Sequence, residues 1–365
     1  MNAKLVEEIA KAVLYEGYIL YPYRRSAIKN RQRFNFGVLA SREYCEANPA
    51  GENSSFQVEC LARETAGSIL SVKLRFLRLV ERTVGEVSPP LAQWPESGSP
   101  AFLPVQSLTF NGRTYEPWQE AADCEIEVQA NLQDLLLAPQ SLKFALLAAS
   151  ECEALRDDSS AIAGVILRNQ EAVSGEISIS AQTALEGIIK LTIRATNTTA
   201  IKTSENGNRD FKRDFKRAFK REDALRQSLL SAHAILNIPG GEFISSIDPP
   251  LELQEAARSC KNQVVWPVLI GEEGTRDGML ASPIILYDYP QIAPESVGEL
   301  FDGTEIDEIL ALRILTLTDE EKQEMRSGDD RARRILERTE SLPPEHMMKL
   351  HGVLRGIRSA NDEAE

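Results

Sequence analysis

Apolar side chains first recur at helical spacing. Leu5, Ile9 and Val13 stand at i, i+4 and i+8, with Val6 and Leu14 widening the stripe, so residues 3–15 are expected to form an amphipathic helix. After Gly17 the period falls to two: Phe34, Phe36 and Val38; Phe56, Val58 and Cys60; Leu70, Val72, Leu74 and Phe76 read as half-buried strands. In the last of these the apolar frame moves from even positions through Phe76 to odd positions at Leu77 and Leu79, which predicts a one-residue β-bulge. The cleanest alternation interleaves Ile189, Leu191, Ile193 and Ala195 with Lys190, Thr192, Arg194 and Thr196. A strand dry on one face and wet on the other favours an antiparallel sheet.

Turn-forming clusters punctuate these runs, among them residues 48–51, 88–90, 95–100, Asn111-Gly112 and 157–160. Residues 225–238 begin with helical spacing and end as a strand before Pro239-Gly240-Gly241, while Pro249-Pro250 opens a short helix over 251–258. Two further strands are expected at 264–270 and 284–287, the first demoted to an edge or a bulge by Pro267. Beyond Pro294 the pattern turns helical: Thr304 can cap one helix, Thr318 and Glu321 have the spacing of a capping box, and Pro343-Pro344 starts a last helix bearing Met347, Leu350, Leu354 and Ile357. The predicted class is mainly β with helices (α+β): an antiparallel β-sandwich, with an immunoglobulin-like form as one option, followed by a helical C-terminal segment. The organisation is an N-terminal helix (1–17), a sandwich-rich region (18–291) with a basic surface insertion at 203–222, and the helical segment (292–365).

At 365 residues the chain is long enough for a substantial core, which excludes scaffolds stapled by disulfides or metals. Charged residues interrupt the apolar stretch of the first helix as no signal peptide would allow, so a cytoplasmic location is expected. The longest apolar runs, 144–149 and 283–287, fall far short of the ~20 residues of a membrane span. Five scattered cysteines with no C-x-x-C pair argue against zinc or an iron–sulfur centre, and Cys60 and Cys124 continue apolar series as buried thiols do. No cofactor is expected.

Acidic side chains outnumber basic ones by 55 to 41, a formal charge of −14 that disfavours nucleic acid as a partner. The charge is segregated. Residues 24–33 carry five positive charges and no acid; residues 209–226 have eight bases against four acids; residues 295–330 have twelve acids and three bases. The second stretch contains the one internal repeat, Phe211-Lys-Arg, Phe215-Lys-Arg and Phe219-Lys-Arg, read as an expanded surface loop or, less strongly, as a grip on an anionic membrane surface. In the first, Tyr21, Tyr23, Arg24, Arg25, Lys29 and Arg31 combine the residue types that anchor protein interfaces.

Hydrolytic chemistry has little support. Only His233, His346 and His351 exist, no G-x-S-x-G is present, and the glycines at 271, 274 and 278 lack the ending of a phosphate loop. A metal-assisted hydrolase built on Asp288, Asp302 and Glu305 is the enzymatic alternative, with no histidine nearby to complete the set.

Several motifs recur together: Leu20-Tyr-Pro-Tyr-Arg24 with Lys29-Asn-Arg31 and Phe36-Gly37; Gly240-Gly-Glu-Phe243 with Asp248-Pro-Pro250; Ser282-Pro-Ile-Ile-Leu-Tyr-Asp-Tyr-Pro290 running into Pro294-Glu-Ser296 and 300–309. As a set they resemble an uncharacterised bacterial family whose genes tend to sit in clusters encoding oxygen-tolerant NiFe hydrogenases. That resemblance implies a non-enzymatic accessory or assembly role, with a hydrogenase subunit or maturation factor as protein partner. It assigns no catalytic residue.

Overall fold

The computed structural model describes residues 2–24, 27–31, 33–63, 67–201, 220–292, 307–328 and 330–342. Among these residues fourteen strands follow helix α1 (Ala3–Tyr15) and the short α2 (Arg42–Ala47): β1 (Ser55–Arg63), β2 (Ile69–Leu91), β3 (Leu103–Val105), β4 (Leu108–Phe110), β5 (Arg113–Tyr115), β6 (Trp118–Asn131), β7 (Gln140–Leu146), β8 (Ala149–Arg156), β9 (Ile162–Gln170), β10 (Val173–Leu185), β11 (Ile188–Asn197), β12 (Leu230–Asn237), β13 (Trp266–Leu269) and β14 (Gly278–Ser282). Between them lie α3 (Leu132–Leu137), α4 (Arg221–Leu225) and α5 (Gln254–Arg258); α6 (Asp307–Leu315), α7 (Asp319–Ser327) and α8 (Asp330–Glu340) follow the last strand.

Two antiparallel sheets stack on one core. The smaller has the order β1-β11-β10-β7, and the larger β13-β14-β12-β2-β9-β8. Alternation decides what each face does: Phe56, Val58, Cys60, Ile177, Ile179, Leu191 and Ile193 of the small sheet meet Leu70, Val72, Leu74, Phe76, Val128 and Leu236 of the large one. The opposite face of β11, with Lys190, Thr192 and Arg194, stays outside that core. Cys60 is fully buried, which pushes its thiol pKa up, while Cys124 is half-buried against the same core.

Strand β2 spans 23 residues and holds the large sheet together. One edge pairs with β6 over Ile69–Arg82 and then with β3; the other pairs with β12 over Ser71–Leu77 and then with β9 from Glu81 onward. Its register against β6 is unbroken through the point where the apolar frame shifts, so β2 has no bulge on that edge. The shift marks a change of covered face instead. Even positions up to Phe76 face the sandwich core, whereas Leu77 and Leu79 face a second cluster formed with Leu14, Tyr18, Phe34, Leu310, Met325, Ile335 and Leu336. The one-residue irregularity sits on the partner strand β12, between Leu230 and His233, where Ser231 takes a φ of 50°.

The outer face of the large sheet is thus roofed by helices. Helix α1 lays Val6, Ile9, Ala10 and Val13 on Ile235, Val268, Ile270 and Leu280, and α6–α8 cover the neighbouring stretch of β2 and β6. The expected capping box opens α7: Thr318 Oγ1 accepts the Glu321 N–H and Glu321 Oε2 accepts the Thr318 N–H. Residues 284–287, expected as a strand, form none and pair with no strand. Pro283 has no N–H to continue the ladder, and β14 stops at Ser282. The Phe-Lys-Arg repeat at 211–219 and the helix expected beyond Pro343 lie outside the described residues. Among the described residues no helix is long and apolar enough to cross a membrane.

Candidate functional site

The basic loop is stitched by a residue with neither charge nor ring. Asn30 Oδ1 accepts the Leu20 N–H at 2.8 Å, and its Nδ2 donates to the carbonyls of Leu20 (2.8 Å) and Arg24 (3.0 Å). It thereby joins the two halves of the motif at 20–31. Tyr23, expected as a contact residue, is 1% exposed and lies in the cluster under the C-terminal helices, its ring packed into the core. Tyr21 is half-buried, edge-on to Tyr23 at 6.1 Å, with the Arg313 guanidinium 5.6 Å from its ring centre. Arg24 pairs with Glu321 at 2.9 Å and Glu324 at 3.7 Å of α7, so one basic residue of the loop meets the acidic region within the same chain. Lys29 is exposed; Arg25 and the Arg31 side chain lie outside the described residues.

Arg33, the last charge of the loop, is buried against aromatic faces. Its guanidinium stands 4.2 Å from the Trp118 ring centre and 5.0 Å from that of Phe34, and donates to the carbonyls of Tyr18 and Gln119. Arg331 of α8 lies over the Tyr15 ring at 4.0 Å and bonds the Tyr15 hydroxyl, which itself donates to Asp123. These contacts fix the helices to the sheet. The loop is therefore largely a structural clasp, with Lys29 and the open sides of Tyr21 and Arg24 at its surface.

The second motif region assembles around Asp288. Its Oδ2 accepts the Ser245 hydroxyl at 2.5 Å and its Oδ1 accepts the Leu269 N–H at 2.8 Å, while the Ser245 oxygen accepts the N–H groups of Ile247 and Asp248. Both Asp288 oxygens thus help to hold the turn. Asp302 and Glu305 lie outside the described residues, among which no group of three histidine, cysteine, aspartate or glutamate side chains could hold a metal ion. Ser245 is similarly occupied, and among the described residues it bonds no histidine that could act as base. His233 is fully buried on β12, its Nδ1 bonded to the Ser231 carbonyl at 2.8 Å, and burial drives its pKa down to about 4.

The Ser245–Asp288 bond brings together the segments 243–250 and 282–290 and leaves apolar side chains outside. Ile285 and Tyr287 are 85% and 82% exposed, and Ile247, Leu251 and Trp266 are exposed as well. Their in-between neighbours Ile284 and Leu286 pack beneath α1. A separate groove of about 340 Å³ on the outer face of the large sheet is lined by Ile69, Ser71, Lys73, Glu127, Gln129 and Asn237. Lys73 there is already paired with Glu125 at 3.1 Å. No protein-family model matches the chain, and no curated protein matches it.

Proposed function

We propose that this chain is a non-enzymatic accessory protein that docks on a NiFe hydrogenase or its maturation machinery. The observation that supports binding over catalysis is the exposed apolar side chains of the 282–290 motif: Ile285 and Tyr287 contribute little to the core, while Asp288 beside them holds the segment in place. Exposed aromatic and aliphatic side chains on a fixed segment are what an interface needs at its centre. The hydrogenase as partner rests on the motif resemblance alone. Tyr21, Arg24 and Lys29 of the basic loop supply a secondary, charged contact, with Arg25 and Arg31 as further members. The test is capture of hydrogenase subunits or maturation factors by the tagged chain in its host, combined with gene deletion. Retained components and lowered hydrogenase activity are expected; no capture together with unchanged activity would overturn the reading.

A further inference from the structure

Three strands of the large sheet lay odd-numbered side chains side by side on its outer face. The registers of β2 with β6 and β12 place Ser71 between Gln129 and Asn237 in one row, and Lys73 between Glu127 and Ile235 in the next. Serine is the smallest of these, so the surface dips at Ser71, and Ile69 and Pro239 complete the groove of about 340 Å³. That volume lies at the small end of the ~300–1,000 Å³ range of ligand sites.

Hydrogen-bonding capacity in the groove is unequally used. Ser71 Oγ (2.8 Å) and Gln129 Nε2 (3.0 Å) both donate to Glu127 Oε1, and Lys73 Nζ is 3.1 Å from Glu125 Oε1. The acceptors are less well served. Glu127 Oε2 faces Lys73 at 3.9 Å, beyond hydrogen-bond reach, and Asn237 Oδ1 is shut from solvent with no hydrogen-bond partner among the described residues. An amide oxygen left so is costly, and the soft terminal torsion of asparagine lets it turn toward a donor in the groove. Hydrogen bonds from Gln129 and Ser71 hold the Glu127 carboxyl below its ordinary pKa, so it stays charged. Glu125 and Glu127 against Lys73, with Glu7 against Arg75, leave one negative charge in excess.

We infer that this groove is a binding site for a small aliphatic amine, whose ammonium donates to Asn237 Oδ1 and Glu127 Oε2 while its hydrocarbon part lies on Ile69 and Pro239. A carboxylate of the same size would meet committed donors and the excess negative charge, and an alcohol would bring one donor without charge. The groove shares no lining residue with the 282–290 motif or the basic loop, so an amine bound there neither requires nor excludes a protein partner.

The probe is pentylammonium, titrated against the full chain by saturation-transfer NMR beside 1-pentanol and pentanoate, which keep the hydrocarbon part and change the head group. Saturable binding of the ammonium is expected, at least tenfold tighter than that of either comparator. Glu127→Gln and Asn237→Leu should each weaken it at least threefold, whereas Lys73→Met, which removes the cation already beside Glu127, should tighten it. Glu127 is exposed, so Glu127→Gln decides the matter even if Asn237→Leu fails to fold. Absent saturation, pentanoate bound as tightly as the ammonium, unchanged binding by Glu127→Gln, or weaker binding by Lys73→Met would overturn the inference.

Discussion

Asn30 shows how a side chain with three hydrogen bonds can matter more than the charges around it. Replacing it with alanine strands the Leu20 N–H in a nearly buried turn and leaves the Leu20 and Arg24 carbonyls with one donor each, a loss of about 2 kcal/mol. Urea denaturation of Asn30→Ala should show a lower midpoint with an unchanged slope. Gly37 is constrained differently: its φ is 57°, and a Cβ would meet the Ala232 oxygen at 2.9 Å and the Ala232 nitrogen at 3.0 Å. Gly37→Ala should cost about 1–3 kcal/mol, read in the same titration, because both the conformation and the neighbouring backbone resist it. His233 links stability to pH. Its pKa is about 4 when folded and near 6.5 ordinarily, so between these values the unfolded chain binds a proton that the folded chain refuses. Stability contributed by the neutral ring is complete above pH 6.5 and falls as pH drops toward 4, at up to about 1.4 kcal/mol per pH unit. The advantage of wild type over His233→Gln should shrink across that window in paired thermal melts; a constant difference would contradict the assignment.

Elements were legible where one face alone is buried. The alternations at 56–60, 70–76 and 189–195 all became strands of the sandwich, because each faces one core and solvent or a thinner cover behind it. The frame shift at Phe76–Leu77 was visible but its cause was not, since the cover over Leu77 and Leu79 includes α6–α8, from residues more than 200 positions away. The run 284–287 has strand composition but no pairing partner, which composition does not encode. In the candidate loop, residue type marked Tyr21 to Arg31 without distinguishing a ring spent on the core, as in Tyr23, from one at the surface. Ile335 of α8 is 2% exposed against β2 and β6, so Ile335→Ala should lower stability by about 2–5 kcal/mol, checked by denaturant unfolding. The Arg24–Glu321 pair is partly solvated, and its loss in Arg24→Ala should cost no more than about 1 kcal/mol.

Across the whole molecule, the N-terminal helix, the sandwich and the C-terminal helices share hydrophobic clusters instead of meeting at wet interfaces. Tyr15 and Tyr18 near one end touch Arg331 near the other, and Leu77 and Trp118 lie between. The described region should therefore unfold as a unit. Far-ultraviolet circular dichroism, tryptophan emission and calorimetry should report one coincident transition; an early loss of the helical signal would show α6–α8 peeling off alone.

The length of β2 has a consequence for synthesis. Its last residue is Leu91, yet its neighbour β12 ends at Asn237, nearly 150 residues later. At ~5–20 residues per second on the ribosome, that strand waits roughly 7 to 30 s with its central edge unmated. Over that interval the main-chain edge Ser71–Leu77 lacks the strand that will pair with it, which makes this edge the point at which translation speed and aggregation compete.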